Sequence, residues 1–218
     1  MRLYFVRHGE STANLKREFS NSGWKHPLTA KGVEQAHAAA RGLSGLHIEQ
    51  VYSSPLMRAV QTAQILAEGL DAPLHIAEEL REWSVGIYEG TADPVGWELH
   101  RAVQDDWFIH QNLYARMPGG ESFREIRDRF MPFIEKLVGS GGSSDRSVVL
   151  VGHGGLYLAM LPAVFKNVDV TFARQHGFPP AAYAVGETRS DGLYCTSWCG
   201  VPMEQPQGKL SASSIEGV

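Results

Sequence analysis

Residues 147–151, with the sequence Ser-Val-Val-Leu-Val, form a short run that is apolar on both of its alternating faces. A run of this length that is rich in β-branched residues favours a strand over a helix. A strand without a polar face is typical of the middle of a parallel sheet whose two faces are covered by helices. The run therefore predicts an α/β fold with a mainly parallel sheet. It is followed directly by Gly152 and His153, which places a histidine at the carboxyl end of a central strand.

Two other predicted strands also end beside basic residues. The first strand, residues 3–6, ends at Arg7 and His8, and a second strand near residues 50–53 leads into a helix with Arg58 in its first turn. The carboxyl ends of parallel strands lie on one edge of a sheet, where helix N-termini also direct free N–H groups. The sequence thus predicts one pocket at this edge that binds an anionic ligand.

The rest of the chain alternates between helical and strand patterns. Thr29 is the predicted N-cap of a helix over residues 30–43, and Ser54 and Pro55 are the predicted N-cap and first residue of the next helix. The remaining predicted elements are a strand at residues 74–76, a helix from residue 121 that Pro132 interrupts, a helix over residues 155–165, and a hairpin of residues 182–187 and 193–199.

Residues 83–117 have an irregular pattern in which tryptophans and tyrosines are scattered among Gly, Asp and His. We interpret this segment as a cap that selects the substrate, with ordinary core anchors of a second helical layer as the alternative. The predicted organisation is one domain over residues 1–202, with a flexible connector at residues 139–145 and a flexible tail at residues 203–218 that is poor in apolar residues.

Composition excludes several classes of function. The chain has 218 residues and a net charge of −4, so it has no general affinity for nucleic acid or anionic membranes. It has no apolar stretch of about 18 residues and no leader sequence, and a cytoplasmic protein is the simplest interpretation. Cys195 and Cys199 would lie roughly 13 Å apart in a strand, too far for a disulfide, and they lack neighbours for a zinc site.

Four segments carry a resemblance to a known family. Residues 7–11, Arg-His-Gly-Glu-Ser, with Asn14 three positions later, resemble the signature of the histidine phosphatase superfamily, which includes the cofactor-dependent phosphoglycerate mutases and many small phosphatases. The other three similar segments are residues 53–63, residues 80–82 with 86–90, and residues 151–155. The resemblance implies a phosphoglycerate mutase-like fold, which is a three-layer α/β/α sandwich.

The chemistry of phosphoryl transfer gives these residues roles. Neutral His8 can attack phosphorus and form a phosphohistidine, while Arg7 and Arg58 bind the phosphate oxygens in place of a metal. The family pattern makes Glu82 the proton donor to the leaving oxygen and then the base that activates water. The remaining predicted phosphate ligands are His153, Asn14 and backbone N–H groups near Gly9 and Gly154. No metal and no cofactor is expected.

Three functions stay open at this point, and a small phosphorylated molecule is the expected partner in each. The first is metal-independent hydrolysis of a phosphomonoester, with Ser20, Lys25 and Arg116 as further substrate contacts. The second is a mutase, although only Arg116 stands where the mutases resembled here have a pair of arginines. The third is a phosphate-binding protein without activity. The oligomeric state is open, with a homodimer as one alternative.

The other histidines are interpreted as surface or packing residues, except that His26 and His110 could face the pocket.

Overall fold

The computed structural model describes residues 1–139 and 146–203, which contain one mixed sheet of seven strands in the order β3-β2-β4-β1-β5-β6-β7. Strands β1 to β4 are mutually parallel, and β5 to β7 extend the sheet antiparallel beside β1. This confirms the predicted α/β fold with a central parallel part. The strands are β1 (Arg2–Arg7), β2 (Gln50–Ser53), β3 (Leu74–Ile76), β4 (Ser147–Gly152), β5 (Tyr183–Arg189), β6 (Gly192–Trp198) and β7 (Val201–Pro202).

Strand β4 lies between β2 and β1, and all six of its residues are buried. Its position follows from its sequence, because a strand without a polar face can only be accommodated under helices on both sides. Alternate residues of the neighbouring β1 separate into two hydrophobic cores. Leu3 and Phe5 belong to one core, and Tyr4 and Val6 belong to the other.

The described residues contain seven α-helices, and helices pack on both faces of this sheet. Helices α2 and α3 pack against each other over the smaller core, whereas α5 and α6 pack over the larger one. The arrangement is the predicted three-layer sandwich. The helices are α1 (Thr12–Lys16), α2 (Ala30–Leu43), α3 (Met57–Leu70), α4 (Pro94–Phe108), α5 (Phe123–Gly139), α6 (Gly154–Val164) and α7 (Val170–His176), and Glu78–Leu80 and Gly86–Tyr88 form 3-10 turns.

Several predicted element boundaries are confirmed and others are wrong. Helix α2 has the predicted bounds and begins after Thr29, whose side chain accepts a hydrogen bond from the Gly32 N–H. Helix α3, by contrast, begins at Met57, with Leu56 and not Ser54 at the N-cap position. The Ser54 hydroxyl accepts a hydrogen bond from the Leu56 N–H over 3.3 Å and also bonds to a histidine of the pocket described below.

The segment 83–117 is more regular than its sequence pattern indicates. It contains α4, a helix of 15 residues whose N-cap Asp93 accepts a hydrogen bond from the Val95 N–H, followed by Pro94 in the first turn. Asp-Pro at this position is a helix start signal, and the scattered aromatics obscured it.

The connector predicted at residues 139–145 and the tail predicted at residues 203–218 lie outside the described part of the chain, except for Gly139, which is the last residue of α5, and Met203. Cys199 follows β6 and is not within it, and both cysteines are free. None of the helices among the described residues is long and apolar enough to cross a membrane.

Candidate active site

His8 lies directly after β1, and its backbone N–H donates to the Gly152 carbonyl of β4 over 3.0 Å. The side chain is only 3% exposed. Its Nδ1 lies 2.6 Å from the Gly9 carbonyl oxygen. A carbonyl oxygen only accepts, so Nδ1 carries the proton and Nε2 presents a lone pair.

The Nε2 lone pair of His8 faces a guanidinium group. Arg58 Nε donates to it over 3.0 Å. Burial, followed by the charges of Arg58 and Arg7, holds the pKa of His8 well below its usual value. The imidazole is therefore neutral at physiological pH and can act as a nucleophile.

His153 comes from the end of β4 and lies behind Arg58, with its ring centroid 5.1 Å from that of His8. Arg58 Nη2 is 3.2 Å from Nδ1 of His153. A guanidinium only donates, so Nδ1 accepts, and the proton on Nε2 is donated to Ser54 Oγ over 2.7 Å. Burial and the charge of Arg58 lower the pKa of His153 as well. One arginine thus donates to two neutral histidines.

Arg7, at the end of β1, contributes the second guanidinium. Its Nη1 donates to the Phe178 carbonyl over 2.6 Å. Its Nε is buried and has no hydrogen-bond partner among the described residues, so it is a donor available to an oxygen of a ligand. A Cβ at Gly154 would lie 3.1 Å from this Nε and from the guanidinium carbon, which explains the glycine at the start of α6.

Glu82 brings a carboxyl group to the same pocket. Its Oε2 accepts from the Gly155 N–H over 2.9 Å, and its Oε1 accepts from the Trp83 N–H over 3.1 Å. Burial nevertheless raises the pKa of this carboxyl group, against the opposing effects of these bonds and of Arg58. A raised pKa favours the protonated form that a general acid requires. A Cβ at Gly155 would lie 2.8 Å from Oε1, so the close approach needs glycine.

The loop after His8 is held tightly against two helices. The Gly9 N–H donates to Thr62 Oγ1 of α3 over 3.1 Å, so this N–H is already occupied. A Cβ at Gly9 would lie 2.4 Å from the Gly32 carbonyl oxygen of α2. Asn14 lines the pocket, but its Oδ1 accepts from both the N–H and the hydroxyl of Ser11.

These groups open into a pocket of about 320 Å³. The structure brings most of the predicted site residues together there, with His153 buried directly behind Arg58. The predicted residues that line the pocket are Arg7, His8, Asn14, Ser20, Arg58, Glu82 and Gly154.

Arg116 is not among the lining residues. It is exposed, and its Nη1 lies 3.1 Å from Glu125 Oε1. The pocket also excludes Lys25 and the two histidines that the sequence left open. His26 bonds to Thr12 and Glu18, whereas His110 is exposed and pairs with Asp106.

Sequence reasoning missed several contributions to the site, among them Glu18 as a further charged residue of the pocket lining. Ser54 fixes His153, whereas His100 and Gln104 line the pocket beside Trp97. Positions 97, 100 and 104 lie on one face of α4, and this spacing is the signal that could have identified them once α4 was recognised. Within residues 1–139 and 146–203, no group of three or more His, Cys, Asp or Glu side chains is placed to hold a metal ion.

Comparisons with a family model and with individual proteins identify the same family. A sequence model of the histidine phosphatase superfamily (branch 1) matches residues 3–200. The chain is 33% identical over 205 residues to the glucosyl-3-phosphoglycerate phosphatase of Mycolicibacterium vanbaalenii, a match that covers 88% of this chain and 87% of that protein.

Solved structures agree with this result. A mycobacterial glucosyl-3-phosphoglycerate phosphatase solved in complex with VO3 superposes with a TM-score of 0.76 at 29% identity, over 90% of this chain and 98% of that one. A phosphoglycerate mutase of Bacillus anthracis superposes with a TM-score of 0.77 over 92% of this chain and 93% of that one. At 22% sequence identity, this similarity shows a shared fold and nothing more.

Proposed function

The chain belongs to the histidine phosphatase superfamily (branch 1) and is a phosphatase of that family. We propose that it hydrolyses a small phosphomonoester without a metal, through a phosphohistidine on His8. The observation that carries this proposal is the neutral His8, with its Nε2 lone pair turned towards Arg58 in a pocket that also contains Arg7 and Glu82.

In the first step, His8 Nε2 attacks phosphorus in line with the leaving oxygen. The P–N bond forms, the P–O bond to the leaving group breaks, and the protonated Glu82 carboxyl transfers its proton to that oxygen. An alcohol leaves. The Nδ1 proton stays on His8 and is donated to the Gly9 carbonyl oxygen. This hydrogen bond stabilises the positive charge of the phosphorylated imidazole ring.

In the second step, the Glu82 carboxylate takes a proton from water while the water oxygen attacks phosphorus. The P–N bond breaks, inorganic phosphate leaves, and both His8 and Glu82 return to their starting forms. Glu82 must therefore cycle between its two protonation states. Its raised pKa supports the acid form in the first step, and the nearby Arg58 supports the carboxylate in the second.

The charge that develops on the phosphoryl oxygens needs donors that are fixed in advance. Among the described residues, Arg7 Nε has no hydrogen-bond partner, and Arg58 Nε donates only to the Nε2 lone pair of His8. When this lone pair forms the P–N bond, Arg58 Nε loses that acceptor. Both guanidiniums are thus available to the phosphoryl oxygens, a role that a metal has in other phosphatases. His153 then serves to hold Arg58 in place from behind.

Hydrolysis is favoured over mutase chemistry by the charges of the pocket. A mutase that moves phosphate within a phosphorylated acid must hold the carboxylate with additional cations. Arg7 and Arg58 are the only Lys or Arg side chains of the described residues that line the pocket, and both serve the phosphoryl group. The two remaining candidate cations, Lys25 and Arg116, do not line the pocket, and Arg116 is paired with Glu125 on the surface.

The test is phosphate release from a panel of phosphomonoesters in the presence of EDTA, with interconversion of 3- and 2-phosphoglycerate followed in parallel. We expect release without isomerisation, and an acid-labile phosphoenzyme that His8→Ala abolishes. Isomerisation that needs a bisphosphate primer would overturn the proposal in favour of a mutase. Unchanged turnover in His8→Ala would remove His8 as the nucleophile.

A further inference from the structure

The pocket beyond the phosphate end has a wall of aromatic rings contributed by α4. Trp97 and His100 are half-buried there, and each stacks on a ring that is almost fully buried. Trp97 stacks on Phe19, with centroids 4.0 Å apart, and His100 stacks on Trp83, with centroids 4.5 Å apart. We propose that this ring wall binds the leaving group of the substrate, and that the leaving group is a neutral cyclic alcohol such as a sugar or an aryl alcohol.

Contacts within the wall and with neighbouring residues set the orientation of its two rings. The Trp97 and His100 rings meet at 59° with centroids 5.2 Å apart and so form a corner. Trp97 Nε1 donates to the Arg17 carbonyl over 2.8 Å, which fixes the indole plane. At Gly96, an added Cβ would lie 2.5 Å from the Tyr88 ring, so α4 lies in close contact with that ring next to the corner.

The charge of the wall explains why the leaving group should be neutral. Apart from Arg7 and Arg58 at the phosphate end, no Lys or Arg within the described ranges lines the pocket, and the carboxylate of Glu18, which also lines it, is bonded to His26 over 2.9 Å. Burial, aided by the charge of Arg101, lowers the pKa of His100 to about 4, so its ring is uncharged at neutral pH. A leaving group with its own carboxylate or second phosphate would lose hydration without gaining a cation.

The chemistry of the wall also favours a ring over a flexible chain. Flat aromatic faces bury the apolar face of a ring, and the amides of Asn14 and Gln104 at the same pocket can bond to hydroxyl groups at its edge. A flexible acyclic alcohol would bury less surface and lose more conformational freedom on binding. This inference depends on the proposed phosphatase function, because it specifies the substrate class at the same site.

The experiment compares kcat/KM for four esters: a hexose monophosphate, glycerol phosphate, 3-phosphoglycerate and fructose 1,6-bisphosphate. We expect the hexose monophosphate to exceed the other three by about tenfold or more. In Trp97→Ala and His100→Ala, the ratio of kcat/KM for the hexose ester to that for glycerol phosphate should fall about tenfold, mostly through KM. Trp97→Phe and His100→Phe keep a ring and should retain most of that ratio.

His176→Ala is the matched control, because His176 also stacks on a ring, that of Phe172 with centroids 4.0 Å apart, but is exposed on α7 outside the pocket. Its kinetics should equal those of the wild type. A preference for the anionic esters, or an equal loss for all esters in Trp97→Ala, would overturn the ring-wall proposal while leaving the phosphatase proposal intact.

Binding to the His8→Ala variant separates the two proposals further. Calorimetric titration with phenyl phosphate and with inorganic phosphate should give a lower Kd for phenyl phosphate, and Trp97→Ala in that background should remove most of the difference. This result would support the ring wall even if the wild type hydrolysed none of the esters. Equal Kd values for the two ligands would overturn it.

Discussion

Arg58 Nε donates to His8 Nε2 over 3.0 Å, and the same guanidinium donates from Nη2 to His153 Nδ1. These two bonds need a planar donor with fixed directions, which arginine provides and lysine does not. Burial and then the charge of Arg58 lower the pKa of His8, so Arg58 helps to keep the imidazole neutral, and in the proposed mechanism it also binds the group that His8 attacks.

Replacing Arg58 with lysine should therefore lower kcat/KM by about 10²- to 10³-fold, although the charge is kept. Arg58→Gln should in addition raise the pKa of His8, since a cation that disfavours the imidazolium is removed. Steady-state kinetics and NMR titration of the His8 ring measure the two effects. The control is Arg174→Lys, a surface arginine paired with Asp105. Equal kinetics in Arg58→Lys and the wild type would contradict the assigned role.

Glu82→Gln should slow hydrolysis of alkyl phosphates by about 10²- to 10⁴-fold, because the leaving alkoxide then receives no proton. Nitrophenyl phosphate should still react in the first step, since nitrophenolate leaves without protonation, and should give a burst close to one equivalent per site. Rapid-mixing absorbance measures the burst. Glu78→Gln, at an exposed position in the 3-10 turn that precedes Glu82, is the control and should leave turnover unchanged.

The pH profile offers a second check on Glu82. Since burial raises the pKa of this carboxyl group, wild-type kcat for alkyl phosphates should fall as pH rises through that pKa and the acid form is lost. The Glu82→Gln variant should lack this part of the profile. A profile of the same shape in both proteins would exclude Glu82 as the acid.

Gly155→Ala should lower kcat about tenfold or more, because the new Cβ would lie 2.8 Å from both Glu82 Oε1 and Trp83 Nε1 and must displace the carboxyl group. Gly139→Ala is the matched control, since a Cβ there would have no neighbour within 4 Å among the residues that the structure describes. Kinetics and thermal unfolding of both variants distinguish a displaced acid from general destabilisation. Full activity in Gly155→Ala would contradict the assigned contact.

The site residues at the strand ends could be predicted from the sequence, because the residues of each short segment are enough to show where its strand ends. A short apolar run that stops at a glycine or an arginine marks the end of a buried strand, and parallel strands must bring such ends together. Arg7, His8, Arg58 and His153 were found in this way. Glu82 was found only through the resemblance to the family, because a carboxylate in a charged loop has no local feature that indicates burial.

Ser54, His100 and Arg116 show where local reasoning fails. Ser54 matches a helix cap in sequence, yet the hydroxyl bonds to a histidine 99 residues away. His100 acquires its stacking partner and its lowered pKa only when α4 packs on Trp83. Arg116 looks like a substrate cation until α5 brings Glu125 beside it. All three depend on tertiary neighbours that spacing along the chain does not reveal.

The buried histidines should make the fold sensitive to acid. The folded-state pKa values of His8 and His153 are depressed, and that of His100 is about 4, so the unfolded chain binds protons first as pH falls below about 6.5. The free energy of unfolding should therefore decrease from about pH 6.5 downwards. Urea titrations at a series of pH values measure this slope. His100→Phe should flatten it between pH 6.5 and 4, whereas His176→Phe should not.

Ser54 is a positioning residue for His153, and its removal should affect turnover through Arg58. In Ser54→Ala the buried Nε2 proton of His153 loses its acceptor, so the ring can adopt the other tautomer and withdraw the Nδ1 lone pair that holds Arg58. We expect kcat to fall about tenfold to a hundredfold, with a changed His153 ring signature in nitrogen NMR. Ser53→Ala is the matched control, because Ser53 is equally buried but donates to the Ser54 carbonyl, and its loss should lower stability alone. If both variants lost stability and neither lost turnover, Ser54 would be a packing residue, and His153 would hold Arg58 without its help.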